Sequence, residues 1–367
     1  MSAPAVGYEP DASVPLGGPS ESVWSRVMRS GRITVGGGIL LLIVAACVLT
    51  MPWTLSESSP LFYGRQYEDA VRAAPGWSVD RPDGSSPARA ESRTGGGSPP
   101  SEKGAEAVGG TGPARSWLVG LFGFDAIGRS ILARCLLGGT ISLAVGVAAA
   151  LIAVVLGVTV GLVAGYSGGW IDSLLMRLVD ILYGLPYILL VILFKIALED
   201  PITRLFETVQ TGWFSSSQAA NLVVMFLAIG LVSWLTMARV VRGQVLAIRA
   251  MPFIEACRAM GLPRLRIFRQ HVLPNLVGPI TVYATLTVPS AILQESFLSF
   301  LGVGVRPPLP TWGSLASEGV LALSPVKVYW WMLLFPCLLL MLTLLCLNFV
   351  GDGLRDLFDP KRESAKL

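Results

Sequence analysis

The chain has 367 residues, of which 53% are hydrophobic and only 14% charged, and its mean hydropathy is +0.63; soluble domains carry about a quarter charged residues, so an integral membrane protein is expected. The net charge of +4 is mild and the arginines gather in particular loops, which argues against nucleic acid as a partner. Five scattered cysteines show no metal spacing and an odd count, and His271 is the single histidine, so neither a disulfide framework nor a zinc or Ser-His-Asp site is expected.

Residues 1–34 are polar, with Arg26, Arg29 and Arg32 just ahead of a first apolar run at 33–51. A run of this length is close to the roughly 20 residues needed to cross a hydrocarbon core. Val44-Ala45-Ala46-Cys47 resembles a lipoprotein cleavage box, but the leader is long and apolar residues continue past Cys47. An uncleaved first span with the N-terminus inside is expected. Residues 52–137 then form an external loop. Its first part, 52–116, is rich in Gly, Pro, Ser and mixed charge and is expected to be mostly disordered, because it lacks apolar surface to offset the entropy of ordering. Trp117, Phe122 and Phe124 follow at the approach to the membrane.

The main apolar region runs from 138 to 350. Its second span is expected at about 138–164, with Gly157, Gly161 and Gly165 four residues apart, sharing one face where a neighbouring helix packs closely. A polar turn, 165–172, leads to a third span at 178–198. Asp180 lies at its inner end, Pro186 within it and Lys195 towards its outer end. Charges at such depth are costly, and Asp180 is a candidate pathway or structural residue. Residues 199–218 form a polar outer connection with Trp213 and Phe214 at the interface. A fourth span follows at 220–238.

Residues 239–275 concentrate charge: seven arginines and one acid, Glu255. The local signals read as two short helices and a break. Pro252 suits a first helical position. Phe253, Cys257 and Met260 recur at helical spacing, with Glu255 and Arg258 on the other side. Gly261 suits a left-handed helix end. Pro263 starts the second helix, and Pro274 ends it or kinks into the next element. A fifth span is expected at 276–298, interrupted by Pro279 and Pro289, with Gln294 and Glu295 near its outer end facing a water-filled pathway or the interface. Residues 302–327 form an outer loop containing Trp312. The sixth span, 329–350, opens on the aromatic belt Tyr329, Trp330 and Trp331, and 351–367 is a charged tail. Six crossings place both termini and the 239–275 loop in the cytoplasm, and the arginine excess agrees.

Glu255-Ala256-Cys257, Gly261 and Val272-Leu273-Pro274 resemble the EAA loop of ABC importer permeases. Arg239 to Gly243, Gln294 to Gly302, Pro307 to Gly313 and Gly351 to Asp356 extend the resemblance to the dipeptide, oligopeptide and nickel permeases, second-subunit (dipeptide C) type. Gly123 to Ser130 resembles a further family element, from which Phe124 and Ser130 depart, and the 52–116 insertion is longer than the family's usual loop. The resemblance implies an all-α type I importer transmembrane domain of six helices in a bacterial inner membrane. It implies a coupling loop, with Glu255, Ala256, Cys257, Arg258, Gly261, Leu273 and Pro274, that docks on a separate ATPase. It further implies a second homologous permease, two ATP-binding subunits, an external solute-binding protein and surrounding lipid as partners, and peptides as the commonest cargo. No phosphate loop, dinucleotide fingerprint or zinc pattern occurs, so no enzyme, cofactor or metal is expected, and ATP would be bound by a partner subunit. The alternatives are a self-contained secondary transporter or channel and, more distantly, a membrane enzyme.

Overall fold

The computed structural model describes residues 31–67, 70–76, 119–207, 215–325 and 328–358. Ten α-helices order them: α1 Gly31–Leu55, α2 Ile131–Ser167, α3 Gly169–Tyr183, α4 Tyr187–Glu207, α5 Ser216–Arg249, α6 Pro252–Ala259, α7 Arg264–Ile267, α8 Leu273–Phe300, α9 Trp312–Leu321 and α10 Trp330–Phe358. Five helical stretches are long and apolar enough to cross a membrane, and α3 with α4 makes a sixth if that bent pair is one span. Helices satisfy their backbone polar groups internally, which a hydrocarbon environment demands. Leu41, Leu42, Leu151, Leu193 and Ile196 point outward, as side chains facing lipid do.

The centre of the fold is the contact between α2 and α5, which run side by side in the same direction. Gly157, Gly161 and Gly165 bring the two backbones together. A β-carbon at these positions would stand 2.5 Å from Met237 Cβ, 2.6 Å from the Ala238 carbonyl oxygen and 2.8 Å from Val245 Cβ respectively. Gly230 on α5 returns the favour, lying against Ile152 and the Ala149 carbonyl. Small residues at a helix crossing permit this approach where lipid supplies no hydrophobic drive for association.

Several boundaries differ from expectation. The helix expected at 138–164 extends over Ile131–Ser167, and the turn at 165–172 reduces to a break at Gly168, φ +67°. The span expected at 178–198 is two helices bent by 99° at Gly184 to Pro186. Pro186 lacks an N–H and disfavours helical geometry in the residue before it, and the new helix begins with Leu190 N–H bonding the Pro186 carbonyl at 3.1 Å. The span expected at 220–238 runs over Ser216–Arg249, so residues 239–249 are helix and not loop. Val241, Val245 and Ile248 keep the helical period and stay buried. Pro274 does not end the second short helix, which stops at Ile267. It sits in the first turn of α8, and a π-helical turn, Phe268–Val272, joins α7 to α8.

Parts of the stretches read as loop belong to helices or are hydrogen-bonded. Residues 52–55 belong to α1 and 131–137 to α2. Between them, Tyr67 N–H bonds Gly128 O at 2.9 Å, Arg72 N–H bonds Asp125 O at 2.9 Å and Gly76 N–H bonds Gly120 O at 3.1 Å. These bonds lay the start of the 52–116 segment on the 119–130 segment; its larger part, 77–116, lies outside the described residues, as do 117 and 118. The loop at 302–327 contains α9, and Trp312 is wholly buried, donating its indole N–H to Cys135 O at 3.0 Å. The final helix reaches Phe358, into the tail expected at 351–367. Residues 1–30, Trp213 and Phe214, and 359–367 lie outside the described residues.

Gly161→Val places a branched side chain against the α5 backbone. Overpacking of this kind costs about 1–3 kcal/mol, so the purified variant should aggregate at a lower temperature than wild type in the same detergent. An unchanged midpoint would contradict the close contact.

Candidate functional site: a basic helical hairpin

Arg239, Arg242 and Arg249 recur on α5 at i, i+3 and i+10, which gathers them towards one side of the helix. Arg242 grips Asp172 in the first turn of α3 through two parallel bonds, Nε–Oδ1 at 2.5 Å and Nη2–Oδ2 at 2.7 Å. Arg239 donates to Asp180 Oδ1 at 2.8 Å, and its guanidinium lies 4.0 Å over the Tyr183 ring. Arg249 donates to the Gly165 and Tyr166 carbonyls at 2.6 and 3.0 Å, two of the acceptors left unpaired where α2 ends. These three arginines therefore fasten α3 and the end of α2 to α5.

Beyond them the chain folds back as the hairpin α6–Gly261–α7. Pro252 occupies the first turn of α6. Ile254 and Cys257, one turn apart, are buried against Val245, Ile248, Ile267 and Val272. Gly261 adopts φ +76° with nothing within 4 Å of a β-carbon built there, so the backbone angle and not packing calls for glycine. Its N–H bonds Arg258 O at 3.0 Å, and Leu262 N–H reaches back to Cys257 O at 3.2 Å, the six-to-one closure of a glycine-terminated helix. The Tyr166 hydroxyl donates to the Arg264 carbonyl, and the Tyr166 ring lies 4.8 Å from Phe268.

The face turned away from the bundle carries Phe253, Glu255, Ala256, Arg258, Met260 and Leu265, with Met260 71% and Leu265 66% exposed. Arg258, Arg264, Arg266 and Arg269 are exposed and form no ion pair with the described residues. An apolar patch rimmed by unpaired cations at the end of a membrane bundle is an interaction surface in search of a partner.

The sequence model of the binding-protein-dependent transport system inner membrane component matches residues 157–364. The chain belongs to this family. The oligopeptide transport system permease protein OppC of Salmonella typhimurium strain LT2 is 50% identical over 240 residues, covering 65% of this chain and 72% of that protein. The Escherichia coli K12 OppC is 49% identical over the same shares. The dipeptide transport system permease protein DppC of Bacillus subtilis strain 168 is 42% identical, over 65% of this chain and 68% of that protein. The chain is thus a multi-pass inner-membrane permease of an ABC importer, a translocation subunit and not an enzyme, working with an ATPase and a solute-binding protein.

Within the permease, the residues singled out by sequence fall into three groups. Glu255, Ala256, Arg258 and Gly261 lie on the exposed hairpin, and Leu273 and Pro274 are exposed on the first turn of α8. Cys257 does not share that surface: it is buried and anchors the hairpin. Glu255 forms no ion pair with a described residue. Asp180 is occupied by Arg239. Gln294 accepts from the Tyr187 hydroxyl at 2.6 Å, joining α8 to the start of α4. Glu295, expected to face a pathway or the interface, is fully buried and accepts from Ser142 at 2.9 Å and Ser299 at 2.7 Å.

At the end opposite the hairpin lies an ion cluster that sequence reasoning did not find. Arg134, 3% exposed, donates to Asp125 at 2.8 Å and to both carboxyl oxygens of Glu318 at 2.5 and 2.7 Å. Asp125 also accepts from the Arg129 side chain at 2.7 Å. Lys195, buried on α4, donates to the Val303 and Gly304 carbonyls. Only the Asp125–Arg129 spacing was visible in sequence; Glu318 is 184 positions from Arg134.

The Arg242–Asp172 fork makes a sharp test. A lysine keeps the charge but not the planar pair of donors, so Arg242→Lys and Arg242→Ala should lower the thermal aggregation midpoint by similar amounts. Full stability of the lysine variant would show that charge alone holds α3.

Proposed function

We propose that this permease carries peptides, as the names of its relatives describe for theirs, and that it is one of two related permeases paired with two ATP-binding subunits and an external binding protein. The hairpin end faces the cytoplasm with both termini, by the arginine rule for orientation. The hairpin is the coupling element: Phe253, Met260 and Leu265 enter a cleft on the ATPase, while Arg258, Arg264, Arg266 and Arg269 meet its acidic rim. The observation that carries this reading is the exposed apolar patch among four arginines that have no partner within the described chain. ATP is bound by the partner, and its binding draws the hairpins together and switches the bundle between two states.

The break between α3 and α4 is the feature that favours a self-contained transporter, since such proteins use broken helices. A proton-coupled carrier of that kind needs a free acid there. Here Asp180, one turn before the break, is held by Arg239, which supports the importer reading instead.

Gly261→Asp tests the docking role. A side chain in the left-handed conformation costs about 1–2 kcal/mol, and the open space around Gly261 leaves the bundle undisturbed. The variant should insert at wild-type levels, while uptake of a labelled tripeptide by cells expressing the complete importer falls at least tenfold. Normal uptake would overturn the docking role.

A further inference from the structure

Glu295 holds both ends of the loop at the end opposite the hairpin. Its Oε1 accepts from the Ser299 hydroxyl at 2.7 Å, and Ser299 Oγ in turn accepts the Val305 N–H at 3.3 Å. Its Oε2 accepts from the Ser142 hydroxyl at 2.9 Å, and Ser142 Oγ accepts the Trp312 N–H at 3.3 Å. Ser296 adds a longer bond to Oε2 at 3.4 Å. A hydroxyl has one proton to donate and two lone pairs to accept with. Each serine therefore acts as a relay, with its proton on the carboxyl group and a lone pair on a loop amide. The two oxygens of one side chain thus reach the first and last turns of the segment 305–312 through two hydroxyls.

No described lysine, arginine or histidine pairs with Glu295, although it is wholly buried. Burying a carboxyl group without a cation is expensive unless it is fully hydrogen-bonded, and here the acceptor role is filled on both sides. The loop is fastened by further contacts from other helices: Lys195 on α4 holds the Val303 and Gly304 carbonyls, and Asn221 on α5 accepts the Arg306 N–H at 3.0 Å. Asn221 lies on α5, which runs into the hairpin, and Glu295 and Ser299 lie on α8, which runs on from it. That helical path runs without interruption from Arg264 to Phe300, which at 1.5 Å per residue puts Glu295 roughly 45 Å from the hairpin.

We propose that Glu295 is a positioning residue that locks the 305–312 loop to the α7–α8 rod through Ser299 and Ser142, so that movement of the hairpin at one face of the membrane reaches the loop at the other. This rests on the hairpin being the ATPase-docking element. The coupling runs through one continuous element with two defined ends.

Hydrogen–deuterium exchange on the complete reconstituted importer, with and without a non-hydrolysable ATP analogue, tests it. In wild type the hairpin and the 303–312 segment should both change exchange when the analogue binds. Glu295→Gln keeps the volume but replaces one acceptor by a donor. In this variant, exchange of 303–312 should rise at least tenfold and lose its response to the analogue, while the hairpin still responds. Ser299→Ala, a smaller change, should free only the 303–306 end. A Glu295→Gln loop that remains protected, or that still follows the nucleotide beside a responsive hairpin, overturns the clamp alone. A wild-type hairpin that ignores the analogue overturns the docking reading, and this proposal with it.

Discussion

The glycine contact between α2 and α5 is the constraint on which the rest of the permease depends. Lipid gives two helices no hydrophobic reason to associate, so close van der Waals packing has to hold them. Gly157, Gly161 and Gly165 on one side and Gly230 on the other allow it. Once the two helices run parallel at this distance, the end of α2 lies within reach of Arg249, whose guanidinium takes up the Gly165 and Tyr166 carbonyls. The chain can then reverse at Gly168 and be captured by Arg242 and Arg239 through Asp172 and Asp180. The hairpin is seated on the same contact, because Ile254 and Cys257 bury themselves beside Val241 and Val245.

Charge is used differently at the two ends of the bundle. At the hairpin end three arginines are consumed in holding helices together, and four remain outward on the hairpin. At the opposite end Asp125, Arg129, Arg134 and Glu318 neutralise one another, with Asp125 and Arg134 buried and Glu318 reaching solvent. Breaking a buried network of this kind by removing one partner is far more damaging than the net worth of the pairs suggests. A rigid far end and an outward-facing cationic hairpin suit a subunit that is pushed from one side and opens on the other.

Much of this could be read from the residues. The helical class, five of the expected spans and the small-residue face followed from composition and spacing, because a span must be long and apolar and its backbone must be satisfied within it. The hairpin was legible in detail, since Pro252, Gly261 and Pro263 each act through their own backbone geometry. What was hidden depended on distant partners or on uniform hydrophobicity. The continuation of α5 through residues 239–249 was masked by its arginines, which read as loop until Asp172 and Asp180 are seen to receive them. The bend at Gly184 to Pro186 was visible only as a proline inside an apolar run, where proline is tolerated as often as it breaks a helix. Glu295 was noticed as an acid, but its serine partners come from another helix 153 positions away and from its own next turn.

The most direct measurement is photo-crosslinking from single positions of the hairpin in the assembled importer. A crosslinking amino acid at Met260, which is 71% exposed, should capture the ATP-binding subunit, whereas the same residue at Ile254, which is fully buried, should not. Capture at Met260 alone is the result predicted for a hairpin that docks by its outer face. No adduct at Met260 in an importer that still transports would contradict the account and require another route for energy into the membrane.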